Sequence, residues 1–142
     1  MALIDLRPGL RNYLLTSTPI AAMVTDRVFP VRMLEGERRD SIVYFRAVET
    51  ESVHYTGPSG LIAVRMQIDS WSESALNAMR LANLVKERLV GFSGIMSNGG
   101  NSPNDFVVVQ GIFLLTGFED YDGVAQMYRM SRDYNIVYED QQ

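Results

Sequence analysis

The densest group of carboxylates in the chain is Glu119-Asp120-Tyr121-Asp122-Gly123, and acidic oxygens around a glycine are what a calcium loop offers. The spacing is wrong for that chemistry. Glu119, Asp120 and Asp122 lack the twelve-residue loop and its terminal bidentate glutamate, so a solvated hairpin turn is the simpler reading. Gly94 with Gly99-Gly100 would cradle a phosphate only ahead of a Gly-Lys-Ser/Thr step and a helix N-terminus, and neither follows. His54 is the one histidine, so no His-His metal motif can form within a chain. No serine or carboxylate motif marks it as a base, and a surface histidine is expected. Cysteine is absent, which removes disulfides, thiolate nucleophiles and thiolate metal sites. Arg38-Arg39 could meet a phosphate or an acidic neighbour, but beside Glu35, Glu37 and Asp40 they read more simply as a solvated loop. No catalytic, cofactor-binding or metal site is therefore expected, and the chain is not expected to be an enzyme.

At 142 residues and 46% hydrophobic, residues 1–142 suit one domain with a real core. The net charge of −4 argues against a domain that is basic as a whole and wraps nucleic acid. No apolar run approaches the roughly 18 residues of a membrane span. Residues 1–15 carry Asp5, Arg7 and Arg11 in a mixed pattern unlike a signal peptide, so an intracellular soluble protein is expected. Seven tyrosines and eight methionines point towards protein–protein contact, where Tyr, Met and Arg are enriched.

The elements that must position these residues centre on Gly60 to Gly91. Ile62, Val64, Met66 and Ile68 alternate with Ala63, Arg65, Gln67 and Asp69, the period of a half-buried strand. After Trp71 the period changes: Ala75, Ala78, Met79, Ala82, Val85 and Leu89 form one stripe of an amphipathic helix. Ser70, with Glu73 three residues on, and Ser72 are both candidate N-caps, and Gly91 suits the left-handed position that ends the helix. Trp71 is expected to anchor the corner between strand and helix.

Around this unit, Leu3, Leu6, Leu10, Tyr13 and Leu14 sit at helical spacing and predict a helix starting near Arg7, followed by a stop or short second turn at Ser17-Thr18-Pro19 through Met23. Arg27-Val28-Phe29-Pro30 reads as a short strand, and 32–40 as a charged loop. Ser41 to Val48 is a strand paired antiparallel with that from Leu61 through the Gly57-Pro58-Ser59-Gly60 turn. Residues 93–105, rich in glycine and asparagine, are expected to lack order of their own. Phe106–Phe118 and Gln126–Tyr138 are the last strands, with a bend or bulge allowed at Gly111 and Gly117. The fold expected is α+β, an antiparallel sheet of mixed strand length with two helices on one face. Tyr128, Met130, Tyr134, Ile136 and Tyr138 share the inner face of the final strand; Arg129, Ser131, Asp133 and Asn135 face solvent or a wet subunit contact. Arg132 is the single charge on the inner face. It must reach Glu119, Asp120 or Asp122, reach an acid on an adjacent subunit, or snorkel to water.

Taken in order, these segments resemble the tail-completion (tail-terminator) proteins of long-tailed phages and phage-like particles. The resemblance runs from Arg27-Val28-Phe29-Pro30 and Ile42-Val43-Tyr44 through Gly57-Pro58-Ser59-Gly60-Leu61 into Arg65-x-Gln67-Ile68-Asp69-x-Trp71. It continues in Gln110-Gly111-Ile112 and in Tyr128-Arg129-x-Ser131-x-Asp133-Tyr134 followed by Tyr138. Arg132 and the long loop at 94–104 depart from the pattern. The resemblance implies a subunit that forms a homo-oligomeric ring, typically hexameric, on the finished tail tube. Such a ring ends tube polymerisation and joins the tail to the head connector or stopper protein. It implies no cofactor and no membrane, a place at the tail–head interface of the virion after assembly in the host cytoplasm, and DNA passing through the lumen without specific binding. An acidic subunit suits such a conduit, because basic contacts to phosphate create affinity. Arg32, Arg38, Arg39, Arg129, Arg132 and Asp133 are the candidate subunit or tube contacts. The competing reading is a monomeric or dimeric α+β module holding a small ligand between sheet and helix.

Overall fold

The computed structural model describes residues 6–51, 60–102 and 105–140; His54 and the expected Gly57-Pro58-Ser59 turn lie outside them. Three helices, α1 (Leu6–Leu15), α2 (Thr18–Val24) and α3 (Ala75–Leu89), accompany six strands. The strands are β1 (Val28–Pro30), β2 (Ser41–Glu51), β3 (Gly60–Ser72), β4 (Gly94–Ser97), β5 (Phe106–Asp122) and β6 (Met127–Asp140), in the sheet order β1-β2-β3-β6-β5-β4.

The class is α+β, with two corrections. The sheet is mixed, because β1 runs parallel to β2 while every other pair is antiparallel. A parallel neighbour needs a crossover, and the charged 31–40 segment makes it without a helix. Among the described residues the helices number three, because Thr18–Val24 completes a helix of its own with Pro19 in its first turn, where a missing N–H costs nothing.

The alternation in β3 sets the core. Ile62, Val64, Met66 and Ile68 are buried and pair across to Tyr138, Ile136, Tyr134 and Arg132 of β6 on the same face. Leu6, Leu10 and Leu14 of α1, Ile20 and Val24 of α2, and Leu81, Val85 and Leu89 of α3 close over them in one apolar cluster. Each such side chain contributes about 1.5–3 kcal/mol by leaving water. Gly9 lets α1 lie close on β4, where an added Cβ would come within 3.2 Å of the Met96 Cβ.

The strand-to-helix corner lies later than the periodicity indicates. β3 continues through Ser72, and the N-cap is Ser74, whose hydroxyl accepts from the Asn77 N–H. Ser72 supports the corner by accepting from the Ser74 N–H and donating to Asp40 Oδ1 at 2.7 Å. Gly91, at φ +84°, follows the helix in the left-handed conformation. Gly94–Ser97, expected to lack order, pairs with Phe106–Val109 as β4. The acidic segment expected as a turn is strand: β5 runs on to Asp122, and the turn is Gly123–Gln126.

Candidate functional site

The sheet face turned away from the helices carries a built polar network, and β3, β6 and β5 supply it. Opposite positions on neighbouring strands bring Trp71 beside Arg129 and Arg129 beside Asp120. Arg129 grips Asp120 through two parallel bonds, Nε to Oδ1 at 2.9 Å and Nη2 to Oδ2 at 2.6 Å, and its Nη1 lies 3.6 Å from Asp69 Oδ2. Its guanidinium also stands 5.4 Å from the Trp71 ring and 5.2 Å from the Phe118 ring, within cation–π range. The paired arginine holds the Asp120 carboxyl below its ordinary range.

Asp69 sits under this arrangement, only 3% exposed. Burial raises its carboxyl, while the hydrogen bond from Gln67 and the charge of Arg129 oppose the rise. A carboxyl raised by folding binds protons better in the native state, so its contribution is most favourable in acid and is lost as pH rises through its folded value. Asp69→Asn should therefore match or exceed the wild type in stability at pH 7. It should also flatten the stability profile just above the ordinary aspartate range. Urea unfolding of both proteins across pH 3–7 checks this; an Asn variant less stable at every pH would show that the charge itself is needed.

Asp133, on the same face, accepts from Arg65 Nη2 at 2.6 Å and Nε at 2.9 Å. The expected candidates thus divide into groups. Arg129, Asp133 and Trp71 share the helix-free face of the sheet. Trp71 is the last residue but one of β3, and the strand's alternation puts its side chain on the face opposite α3, outside the core cluster, with its indole N–H buried and unpartnered. Arg38 and Arg39 lie in the 31–40 segment at the sheet's end. Arg38 pairs with Glu73 and donates to the Ala125 carbonyl in the β5–β6 turn, and Arg39 pairs with Glu37. Arg32 forms no side-chain hydrogen bond or ion pair among the described residues and borders a hollow with Pro30, Met33 and Leu34.

Arg132 does not take the intrachain route to an acidic group that the sequence offers it. Its Nη1 donates to the main-chain carbonyl of Ala82 in α3 at 3.1 Å, with Met79 Sδ near Nη2. The half-buried charge is held by a helix carbonyl, and it touches neither Glu119, Asp120 nor Asp122. The neighbouring Tyr134 hydroxyl is pushed up to about 12 by burial, with Arg132 opposing. Sequence reasoning missed Arg65, Asp69 and Asp120 as partners. The signal available was the run of polar residues on the outer positions of β3, which asks for charges on the strand opposite.

A cleft of about 250 Å³ opens where α3 begins, between Ala75, Ala78, Tyr121 and Tyr128. It falls short of the roughly 300–1,000 Å³ usual for small-ligand pockets, whereas the hollow beside Arg32, at about 460 Å³, lies within that range. No helix among the described residues is long and apolar enough to cross a membrane.

Neither a family model nor a curated protein matches the chain. The fold is similar to that of a chain in a structure described as the virion of a native gene transfer agent (GTA) particle. The TM-score is 0.69, over 94% of this chain and 94% of that one, at 16% sequence identity. At that identity the likeness is one of fold.

Proposed function

We propose that this chain is a non-catalytic virion structural subunit that caps the tail tube as a homo-oligomeric, hexameric ring. The ring ends tube polymerisation and joins the tail to the head connector or stopper protein. The observation that carries the reading is the end-to-end fold likeness to a component of a GTA virion, covering 94% of both chains. The order of the sequence motifs points the same way. The electrostatics suit a DNA conduit, since Arg65 and Arg129 on the helix-free face are each held by a carboxylate and so are poor traps for phosphate. Arg32, Arg38 and Arg39, in the segment at the sheet's end, are the proposed cationic contacts to a neighbour.

Two measurements test this. Native mass of the purified chain should be several-fold above 16.0 kDa. Particles made without the chain should carry tubes of uncontrolled length that fail to join heads. A monomer, together with normal tails in its absence, would remove the reading.

A further inference from the structure

The sheet has two sides that end in strands, and they are finished differently. On the β1 side the edge is closed. Arg11 of α1 donates Nε to the Val28 carbonyl at 3.1 Å and Nη2 to that of Asp26 at 3.0 Å, and Pro30 offers no N–H. On the other side β4 covers only Phe106–Val109 of β5, and β4 is itself overlaid by α1, with Asn12 Nδ2 donating to the Ser97 carbonyl. Beyond the bond from the Gly91 N–H to the Ile112 carbonyl, β5 from Phe113 to Asp122 has no strand on its outer side among the described residues. That open edge is about 33 Å long at roughly 3.3 Å per residue. It also displays Phe113, Leu115, Phe118 and Tyr121, each at least half exposed. Soluble sheets shield long apolar edges with charge, proline, a short strand or a cover, and β1 shows such shielding within the same molecule.

We infer that the Phe113–Asp122 edge of β5 is the docking surface for a second copy of this chain, which presents its segment after β1, Val31 to Leu34. This rests on the ring reading and assigns the surfaces that such a ring would join. The charges match. Glu119 has no cationic partner among the described residues at the acidic end of the edge, and Arg32 has none between exposed Val31 and Leu34. Val31 and Leu34 are 62% and 63% exposed, and Val31 holds φ +70°, a strained setting for a β-branched residue. Three strands, β2, β3 and β6, lie between β1 and β5 in the sheet, so the two surfaces are different ones, though Leu34 and Asp122 border one hollow at the sheet's end. A contact between different surfaces is what closes a cyclic assembly. Antiparallel pairing of two β5 edges about Gly117 would instead lay the acidic end of each against the apolar middle of the other, with no countercharge.

The chain has no cysteine, so introduced thiols report the contact directly. Leu34→Cys with Leu115→Cys should give, under mild oxidation, a ladder of covalent multimers reaching the native ring mass, while each single variant stays at the monomer mass on denaturing gels. Arg32→Glu or Glu119→Arg should each lower the ring fraction at least tenfold, and the two together should restore it, all with wild-type melting. A wild-type ring that forms no ladder and ignores both charge reversals overturns the inference and leaves the proposed function standing. Disulfide dimers of Leu115→Cys alone would show β5 meeting β5, which also overturns it. Failure of the wild type to form any ring, alone or on tails, removes both readings.

Discussion

Leu81→Ala should lower the unfolding free energy by about 2–5 kcal/mol, the range for deleting a fully buried leucine and leaving part of its volume empty. Leu81 lies on the inner side of α3 with no exposure and belongs to the cluster that joins this helix to β3 and β6. Leu76, earlier on the same helix, is 60% exposed, and the same change to alanine there carries the same small gain in helix propensity. Leu76→Ala should therefore change stability by less than about 0.5 kcal/mol. Urea melts of the two variants separate core packing from helix propensity. Equal losses would mean that α3 does not dock as described.

Gly117→Val should carry the second largest penalty, about 1–3 kcal/mol from overpacking. Gly117 lies opposite Arg132, and a Cβ there would stand 2.9 Å from both the Ser131 carbonyl oxygen and Arg132 Cγ. One of these is main chain, so β5 and β6 must move apart rather than a side chain swing away. The shift would also pull Arg132 from the Ala82 carbonyl. The expected signature is a lower melting temperature with faster amide exchange at both Gly117 and the α3 residues around Ala82. A melting temperature within a degree of wild type would show that the strands tolerate the extra carbon.

The contrast between these two sites shows what a sequence can and cannot reveal. Ile62, Val64, Met66 and Ile68 announce β3 because each alternate residue has the same job, and Ala78, Ala82, Val85 and Leu89 announce α3 for the same reason. Leu81, central to the core, lies outside the stripe that runs through Ala75, which is exposed. β4 was invisible. Only Met96 of its four residues is buried, so it has no period, and its order comes from β5 and from the close approach of Gly9. The acidic end of β5 looked like a turn because carboxylates are poor strand formers. Arg129 neutralises Asp120 from the next strand, and that pairing depends on a register that the chain does not state. Arg65 and Asp133 stand 68 residues apart, and only the β3–β6 pairing brings them into contact. Of the candidate cations, the sequence located the arginines but not their partners, which are set by tertiary neighbours.

The closed β1 edge has a consequence for how far assembly can run. In the language of polymer growth, a sheet with two receptive edges is a bifunctional monomer and can extend without limit into a ribbon. Arg11 and Pro30 make this sheet monofunctional towards backbone pairing. Strand addition at β5 uses up the single reactive end, and a second sheet joined there offers no further one. Ladder bonding can therefore start an association between sheets but cannot propagate it. Any larger assembly must alternate this edge with a chemically different surface, and its size is then set by the angle between the two.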